Sequence, residues 1–331
     1  MRVVLTPMKN SPSKAGSRFS RAALQVSKSN IAYSSKWAAN RKAQKHVRVR
    51  FRPASGQVAA ITVDEGLKQK ADVMMPETAK FKAFSSLHRK GNPLLLLNIW
   101  DAGSAKIVAD AGAGAIATGS WAVAAAHGYA DGETLPLEYA LHTAKRIVEA
   151  VDLPVSMDIE SGYGRTPAQL AETVKRVLDT GVVGLNIEDQ MIGHNALYSV
   201  PDQAARIEAC RTTADTAGVP LFINARSDLY FQAQEDADEA QLEAEVLARA
   251  TAYHQAGADG LFTPGLWRED AIKTLCAASP MPVNIMVMQG CPTIETLTRI
   301  GVSRISYGPG PYVSAMESLS ARAAATYGAA A

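Results

Sequence analysis

Residues 179–189 read DTGVVGLNIED. A helical segment stops at Gly181, the chain turns, and a short apolar run from Gly184 to Ile187 ends in two adjacent acids. Apolar residues at successive positions mark a strand buried on both faces, as in a parallel sheet. The same phrase of helix, glycine, one to three residues and strand recurs at 110–119 (DAGAGAIATG), 216–226 (TAGVPLFINAR), 255–265 (QAGADGLFTPG) and 299–310 (RIGVSRISYGPG). Working outward from 184–187, strand-like runs fall at Leu94–Trp100, Ala115–Thr118, Pro154–Met157, Gly184–Ile187, Leu221–Asn224, Gly260–Thr263, Val283–Val287 and Arg304–Tyr307.

Helical segments with their own punctuation separate these runs. Thr166-Pro167 is an N-cap followed by Pro at the first helical position. The helix it opens, Pro167–Thr180, places Leu170, Val174 and Val177 on one face and stops at Gly181. Pro201–Ala217 stops at Gly218, Glu239–Ala256 stops at Gly257, and Cys291-Pro292-Thr293 opens a helix that runs to Gly301. Eight alternating units over about 240 residues match an α/β chain of the (β/α)8 TIM-barrel class. A doubly wound sheet is the alternative, but it wants a glycine-rich phosphate turn directly after its first strand. The segment AGAGAIATG does not supply one, because its glycines precede a strand instead of opening a helix.

At 331 residues, 47% hydrophobic and 20% charged, the chain has room for one large domain or two small ones. That composition excludes a small disulfide scaffold, a collagen-like chain and a wholly disordered protein. The longest strongly apolar run, Leu94–Ile99, falls far short of the roughly 20 residues that span a bilayer. Cys210, Cys276 and Cys291 are too widely spaced to suggest a zinc pair or a disulfide framework. A reducing setting fits best, so a cytoplasmic location is expected.

The formal net charge of +2 conceals two opposite parts. Residues 1–63 carry 13 Lys and Arg and no acid, whereas residues 64–331 carry all 32 acids against 21 bases. The chain therefore divides into a basic extension over 1–75 and an acidic barrel over 76–331. The extension lacks a sustained apolar period and is expected to be disordered. An organelle transit peptide, a nucleic-acid-binding arm and upstream sequence ahead of Met74 and Met75 are its competing readings. Few aromatics interleave its bases, which weakens the nucleic-acid reading.

In a barrel of this kind the active site lies at the C-terminal ends of the strands. The residues at those ends are Asp101, Ser120, Asp158, Glu160, Glu188, Asp189, Arg226 and Asp228, followed by Pro264, Asn284 and Tyr307-Gly308. Six acids around one mouth would repel one another unless a cation offsets them. Asp158 and Glu160 are separated by one residue at the end of a strand, where positions i and i+2 point to the same side. With Glu188 one strand along, they suit a hard cation such as Mg2+, which takes one or two carboxylates and keeps several waters. No His or Cys stands at a strand end, which argues against zinc. Glycoside hydrolysis by a carboxylate pair ranks low in a chain only 6% aromatic. Arg226 has a planar fork suited to a carboxylate or phosphonate. The turn TGSW at 118–121 can offer backbone N–H groups to the same anion. Asp101 is equally placed to cap the following helix, and Trp121 and His127 have packing roles open to them.

The order and spacing of NIWDAGSA (98–105), TGSW with GYADG (118–132), DIESGYG (158–164), NIEDQ (186–190) and INARSD (223–228) resemble the isocitrate lyase/phosphoenolpyruvate mutase superfamily over roughly residues 80–315. Its members are Mg2+-dependent (β/α)8 barrels that make or break C–C or P–C bonds next to a 2-oxo acid. The resemblance implies Mg2+, with Mn2+ as a substitute, held by Asp131, Asp158, Glu160 and Glu188, partly through water and most directly at Asp158. It implies that Ser120 and Trp121 contact the substrate carboxylate through their amides, that Arg226 pairs with it, and that Asp101 supports the substrate end. It also implies a homo-oligomer, usually a tetramer with exchanged C-terminal helices, although the alanine-rich end at 321–331 is short for exchange.

The chain departs from the family after NIED. The lyase branch carries Lys-Lys/Arg-Cys-Gly-His there, with Cys as general acid, and the mutase branch carries a longer loop with Lys and Asn. This chain has EDQMIGHNALYSVPD at 188–202, which keeps only Gly193-His194. His194 is the candidate replacement acid, with a solvent-facing loop position as the plainer reading. The expected function is a Mg2+-dependent lyase acting on a small anionic 2-oxo or 2-hydroxy acid. Phosphonomutase, phosphonopyruvate hydrolase and oxaloacetate decarboxylase activities, or a non-catalytic carboxylate-binding barrel, are the alternatives.

Overall fold

The computed structural model describes residues 77–234 and 236–328, so the basic extension over 1–75 lies outside the described residues. Eight parallel strands follow the order of the runs read above: β1 (Leu94–Leu96), β2 (Ile116–Ala117), β3 (Val155–Asp158), β4 (Gly184–Glu188), β5 (Phe222–Arg226), β6 (Gly260–Phe262), β7 (Val283–Met286) and β8 (Arg304–Ser306). Hydrogen-bonded pairing runs β1-β8-β7-β6-β5-β4-β3-β2. A parallel bridge between Ile99 and Thr118, just beyond β1 and β2, brings the two ends together. The result is a (β/α)8 barrel.

Helices occupy the outside. In chain order they are α1 (Glu77–Ser86), α2 (Ala102–Asp110), α3 (Ser120–Ala126), α4 (Leu137–Ala150), α5 (Pro167–Leu178), α6 (Val200–Ala217), α7 (Leu229–Gln232), α8 (Glu239–Gln255), α9 (Glu269–Ala278), α10 (Ile294–Arg299) and α11 (Gly310–Tyr327). Their ends follow local chemistry. Thr166 and Gln169 form a reciprocal capping box at the start of α5, with Pro167 in its first turn. Gly218 ends α6 in a left-handed conformation at φ 68°, which costs glycine little. None of the described helices is long and apolar enough to cross a membrane.

Two apolar regions hold the barrel together. The larger lies between strands and helices, where Val174 and Val177 of α5 join Leu185 and Ile187 of β4. The smaller centres on Phe84 of α1, fully buried among Leu94, Leu96, Val183 and Phe222. Phe84 meets Phe222 edge-on at 5.4 Å, and His88 stacks on Phe222 at 4.2 Å. Leu94, Gly184 and Phe222 all begin strands, so α1 closes the N-terminal end of the barrel. Gly184 makes this closure possible, because a Cβ there would lie 3.0 Å from the Phe84 ring. The opposite end is left for chemistry.

Candidate active site

Strand register sets the mouth. Asp158, Asn186 and Asn224 stand at one level on β3, β4 and β5, and Glu188 lies opposite Arg226 two residues further on. Residues two apart along a strand face the same way, so all five side chains share the interior. Arg226 is the hub. Its Nε and Nη2 donate to the two Asp228 oxygens at 2.6 and 2.8 Å, while Nη1 lies 2.9 Å from Glu188 Oε2 and 3.8 Å from Asp158 Oδ2. Burial works against the Arg226 charge, but Glu188, Asp228 and Asp158 outweigh it and hold its pKa well above the arginine range. Burial drives the Glu188 carboxyl the other way, well above the carboxylate range; Arg226 opposes that shift, and Asp228, Asp158 and Glu160 add to it.

Glu160 departs from the strand-based expectation. β3 ends at Asp158, and Glu160 takes a left-handed backbone at φ 51°, so strand alternation no longer governs its direction. Its amide donates to Asp158 Oδ1 at 3.0 Å, which keeps the two acids together. Its own Oε2 accepts the backbone N–H groups of Gly132 and Glu133 at 2.9 and 2.6 Å. Glu133 answers in kind by accepting the Tyr163 N–H at 2.7 Å. Two loops, one after β2 and one after β3, are thereby latched by reciprocal carboxylates. Glu133 and Tyr163 share the left-handed backbone, at φ 56° and 54°. Such strain persists only where surrounding contacts hold it. Burial first, and then Asp131, raise the Glu160 pKa to about 7 despite the Glu133 amide. Asp131 itself is exposed at the rim, and desolvation by the surrounding protein, opposed by Arg226 and reinforced by Asp158, raises its carboxyl as well.

The remaining candidates sort themselves around this centre. Thr118 Oγ1 accepts the Asp158 N–H at 3.0 Å, and Thr118, Ser120, Asp158, Glu160 and Tyr163 line one narrow cavity. Ser120 and Trp121 occupy the first turn of α3, where helix amides have no partner within the helix. Trp121 is half-exposed and meets Tyr312 edge-on at 5.8 Å. Asp101 uses one oxygen to cap α2, accepting from the Ser104 amide at 2.6 Å. His127 bonds Thr143 at 3.1 Å and stacks on Tyr139, so it packs away from the mouth.

One expectation needs correction. Asp189 was grouped with the acids of the mouth, but it is fully buried on the outer side of β4, bonded to Arg249 at 3.0 Å and Tyr253 at 2.9 Å. The alternation that turns Glu188 inward turns Asp189 outward. Among the described residues, no three His, Cys, Asp or Glu side chains converge closely enough to wrap an ion. Asp158 and Glu188 could each lend an oxygen to a hard cation that keeps its waters.

His194 lies elsewhere. The segment after β4 folds back on itself through a Gln190–Leu197 bridge and a Met191 N–H bond to Ala196 O at 2.9 Å. His194 is exposed near its tip and lines a separate hollow with Glu133, Arg165 and Tyr198.

The profile of the phosphoenolpyruvate phosphomutase family matches residues 84–327, from α1 into α11. The chain belongs to the isocitrate lyase/phosphoenolpyruvate mutase superfamily. It is an enzyme of that superfamily by the company it keeps. It is 34% identical over 232 residues to an uncharacterised protein of Mycobacterium tuberculosis, covering 70% of this chain and 83% of that one. To the 2-methylisocitrate lyase of Escherichia coli it is 30% identical over 223 residues, 65% of this chain and 73% of the lyase. A crystal structure from Burkholderia cenocepacia, assigned provisionally as a phosphonomutase, is 50% identical with a TM-score of 0.72, covering 74% of this chain and 98% of that one.

The roles of two residues at this mouth escaped sequence reasoning. Asn98, just beyond β1, accepts the Tyr307 and Gly308 amides at 3.0 and 2.9 Å and so ties the mouth across β1 and β8. Its place in NIWDAGSA was the available signal. Asp228 was noted as a strand-end acid without a role, and its spacing from Arg226 was the clue to the bidentate pair.

Proposed function

We propose that the protein is a Mg2+-dependent lyase that breaks a C–C or P–C bond next to a small 2-oxo or 2-hydroxy carboxylic acid. The observation that carries this reading is the gathering of Asp158, Glu188 and Asp228 around Arg226 at the C-terminal end of consecutive strands. The donor set is all oxygen, and burial, with neighbouring carboxylates adding to it, raises Glu160 and Glu188. That chemistry fits a hard divalent ion bound largely through water. Asp158 would hold it most directly, with Glu188, Glu160 and Asp131 acting through water; Mn2+ would substitute. When bound, the ion polarises a carbonyl oxygen and offsets the negative charge that develops beside the breaking bond.

The chain's own residues do the rest. Two of the five Arg226 N–H groups are taken by Asp228, and Nη1 lies 2.9 Å from Glu188 Oε2, so the guanidinium keeps N–H groups for a substrate carboxylate. The Ser120 and Trp121 amides would receive the same carboxylate, and the second Asp101 oxygen would support the far end of the substrate. His194 would give a proton to the departing fragment, which requires its loop to fold over the mouth. A homo-oligomer, a tetramer by family resemblance, suits the exposed Val313, Met316 and Leu319 of α11, a helix with no buried residue. A cytoplasmic location suits the free thiols of Cys210, Cys276 and Cys291.

The test is release of pyruvate or glyoxylate from a panel of 2-oxo and 2-hydroxy acids, with and without Mg2+, by wild type and His194→Ala. Release that needs Mg2+ and falls by about 10²-fold or more in the variant supports the assignment. No release from any acid leaves a carboxylate-binding barrel in its place. The likeness to the Burkholderia protein favours phosphonomutase activity as a second reading, and conversion of phosphonopyruvate without release of pyruvate distinguishes it.

A further inference from the structure

Beside and below Asp158 the barrel interior is polar, where a barrel of this kind is ordinarily filled by branched apolar side chains. Asn186 and Asn224 enter from β4 and β5, and Arg304 enters from the start of β8; all three are buried. The Asn186 amide oxygen accepts from Asn224 Nδ2 at 2.9 Å and from Arg304 Nη2 at 3.2 Å. Its NH2 group donates to Asp158 Oδ2 at 3.4 Å, the longest link of the three.

The two ends of an asparagine amide are nearly alike in shape, so its direction is set by its partners. A guanidinium only donates, which turns the Asn186 oxygen toward Arg304. A carboxylate only accepts, which turns the NH2 group toward Asp158. The other Asp158 oxygen is already held by the Glu160 N–H at 3.0 Å. Both carboxylate oxygens are thus addressed from within the protein, and the chain of contacts starts at Arg304.

Arg304 is an expensive residue to keep there. It is 1% exposed, and its Nε and Nη1 have no hydrogen-bond partner among the described residues. Its nearest aromatic support, the Phe84 ring, lies 5.9 Å from the guanidinium carbon. Burial lowers its pKa to about 10, and His88, on the same side, is lowered to about 3 by burial and then by Arg304 itself. An apolar side chain of similar volume would cost less to bury. A role at the mouth accounts for its presence.

We infer that Arg304 and Asn186 form a positioning relay that fixes the orientation of the Asp158 carboxylate toward its metal ion. The relay rests on the Mg2+ reading above. It predicts that residues which never touch the ion control how tightly the ion is held.

The experiment is Mn2+ binding to the full chain, read from the electron paramagnetic resonance signal of free Mn2+, with thermal melts in parallel. The proteins are wild type, Asp158→Ala, Asn186→Leu, Arg304→Met, Arg304→Lys and the Asn186→Leu/Arg304→Met double variant. Wild type is expected to bind Mn2+ and Asp158→Ala to lose it. Asn186→Leu and Arg304→Met should each weaken binding by about tenfold. The double variant should be no weaker than the worse single variant, because both break one chain. Arg304→Lys, which keeps a donor, should recover part of the loss. Folded Asn186→Leu or Arg304→Met protein that binds Mn2+ like wild type overturns the relay, as do losses that multiply in the double variant. Should Arg304→Met fail to fold, Arg304→Lys and Asn186→Leu carry the same comparison. A melting temperature that moves while Mn2+ affinity stays fixed marks a purely structural role and also overturns it. Wild type that binds no Mn2+ overturns the metal reading and the relay together. Binding lost in Asp158→Ala but kept in Asn186→Leu overturns the relay alone.

Discussion

Asp228 grips Arg226 along one edge of the guanidinium, Nε to Oδ1 at 2.6 Å and Nη2 to Oδ2 at 2.8 Å. The backbone N–H of Asp228 is in turn held by Asp189 Oδ1 at 2.9 Å. Asp189, anchored by Arg249 and Tyr253, thus supports from behind the strand a group that faces the mouth. The arginine is fixed before any substrate arrives, which is the condition for useful electrostatic stabilisation.

Asp228→Asn keeps the size of the side chain but removes its charge and leaves one oxygen to accept from Arg226. Its kcat/KM is expected to fall by about tenfold to a hundredfold with the fold intact. Arg226→Lys, which cannot make the planar fork, should fall by about a hundredfold or more. Steady-state kinetics alongside circular dichroism checks both.

Asp158→Ala is expected to abolish Mg2+-dependent turnover and to remove the stabilisation that added Mg2+ gives to wild type. Its far-UV circular dichroism should be unchanged. Turnover retained by this variant counts against the metal assignment.

The pH dependence of stability follows from Glu160. Its folded-state pKa of about 7 lies above the ordinary value of 4.5, so the folded protein binds this proton more tightly than the unfolded chain does. The metal-free protein should therefore lose stability as pH rises from about 4.5 to 7, by on the order of 3 kcal/mol from this group alone. Glu160→Gln, neutral at every pH and still able to accept the Gly132 and Glu133 amides, should flatten that slope. Thermal melts across the range in the presence of a chelator measure it.

Phe84→Ala empties the closed end of the barrel. It should cost about 3–5 kcal/mol, read from denaturant melts. Gly184→Ala should destabilise through the same contact, because its added carbon lies 3.0 Å from the Phe84 ring.

Local patterns made much of this molecule legible before its coordinates. Each strand lies within a largely apolar run or overlaps it closely, since a strand covered on both faces is predominantly apolar. The α5 capping box was readable because Thr166, Pro167 and Gln169 are neighbours in the chain. The mouth was harder to read. That Glu188 faces inward and Asp189 outward depends on register, and that Glu160 leaves the strand depends on a left-handed backbone that no glycine announces. Arg304 gave no signal, because a cation opening a strand reads as a solvent-facing end; only the closing of the sheet into a ring places it under Asp158.

The reciprocal latch of Glu160 and Glu133 has an evolutionary corollary. Each acid satisfies amides in the other's segment, so neither stretch can drift or be transplanted alone without orphaning half-buried N–H groups. Residues 131–133 and 160–163 should be inherited, and engineered, as one cassette.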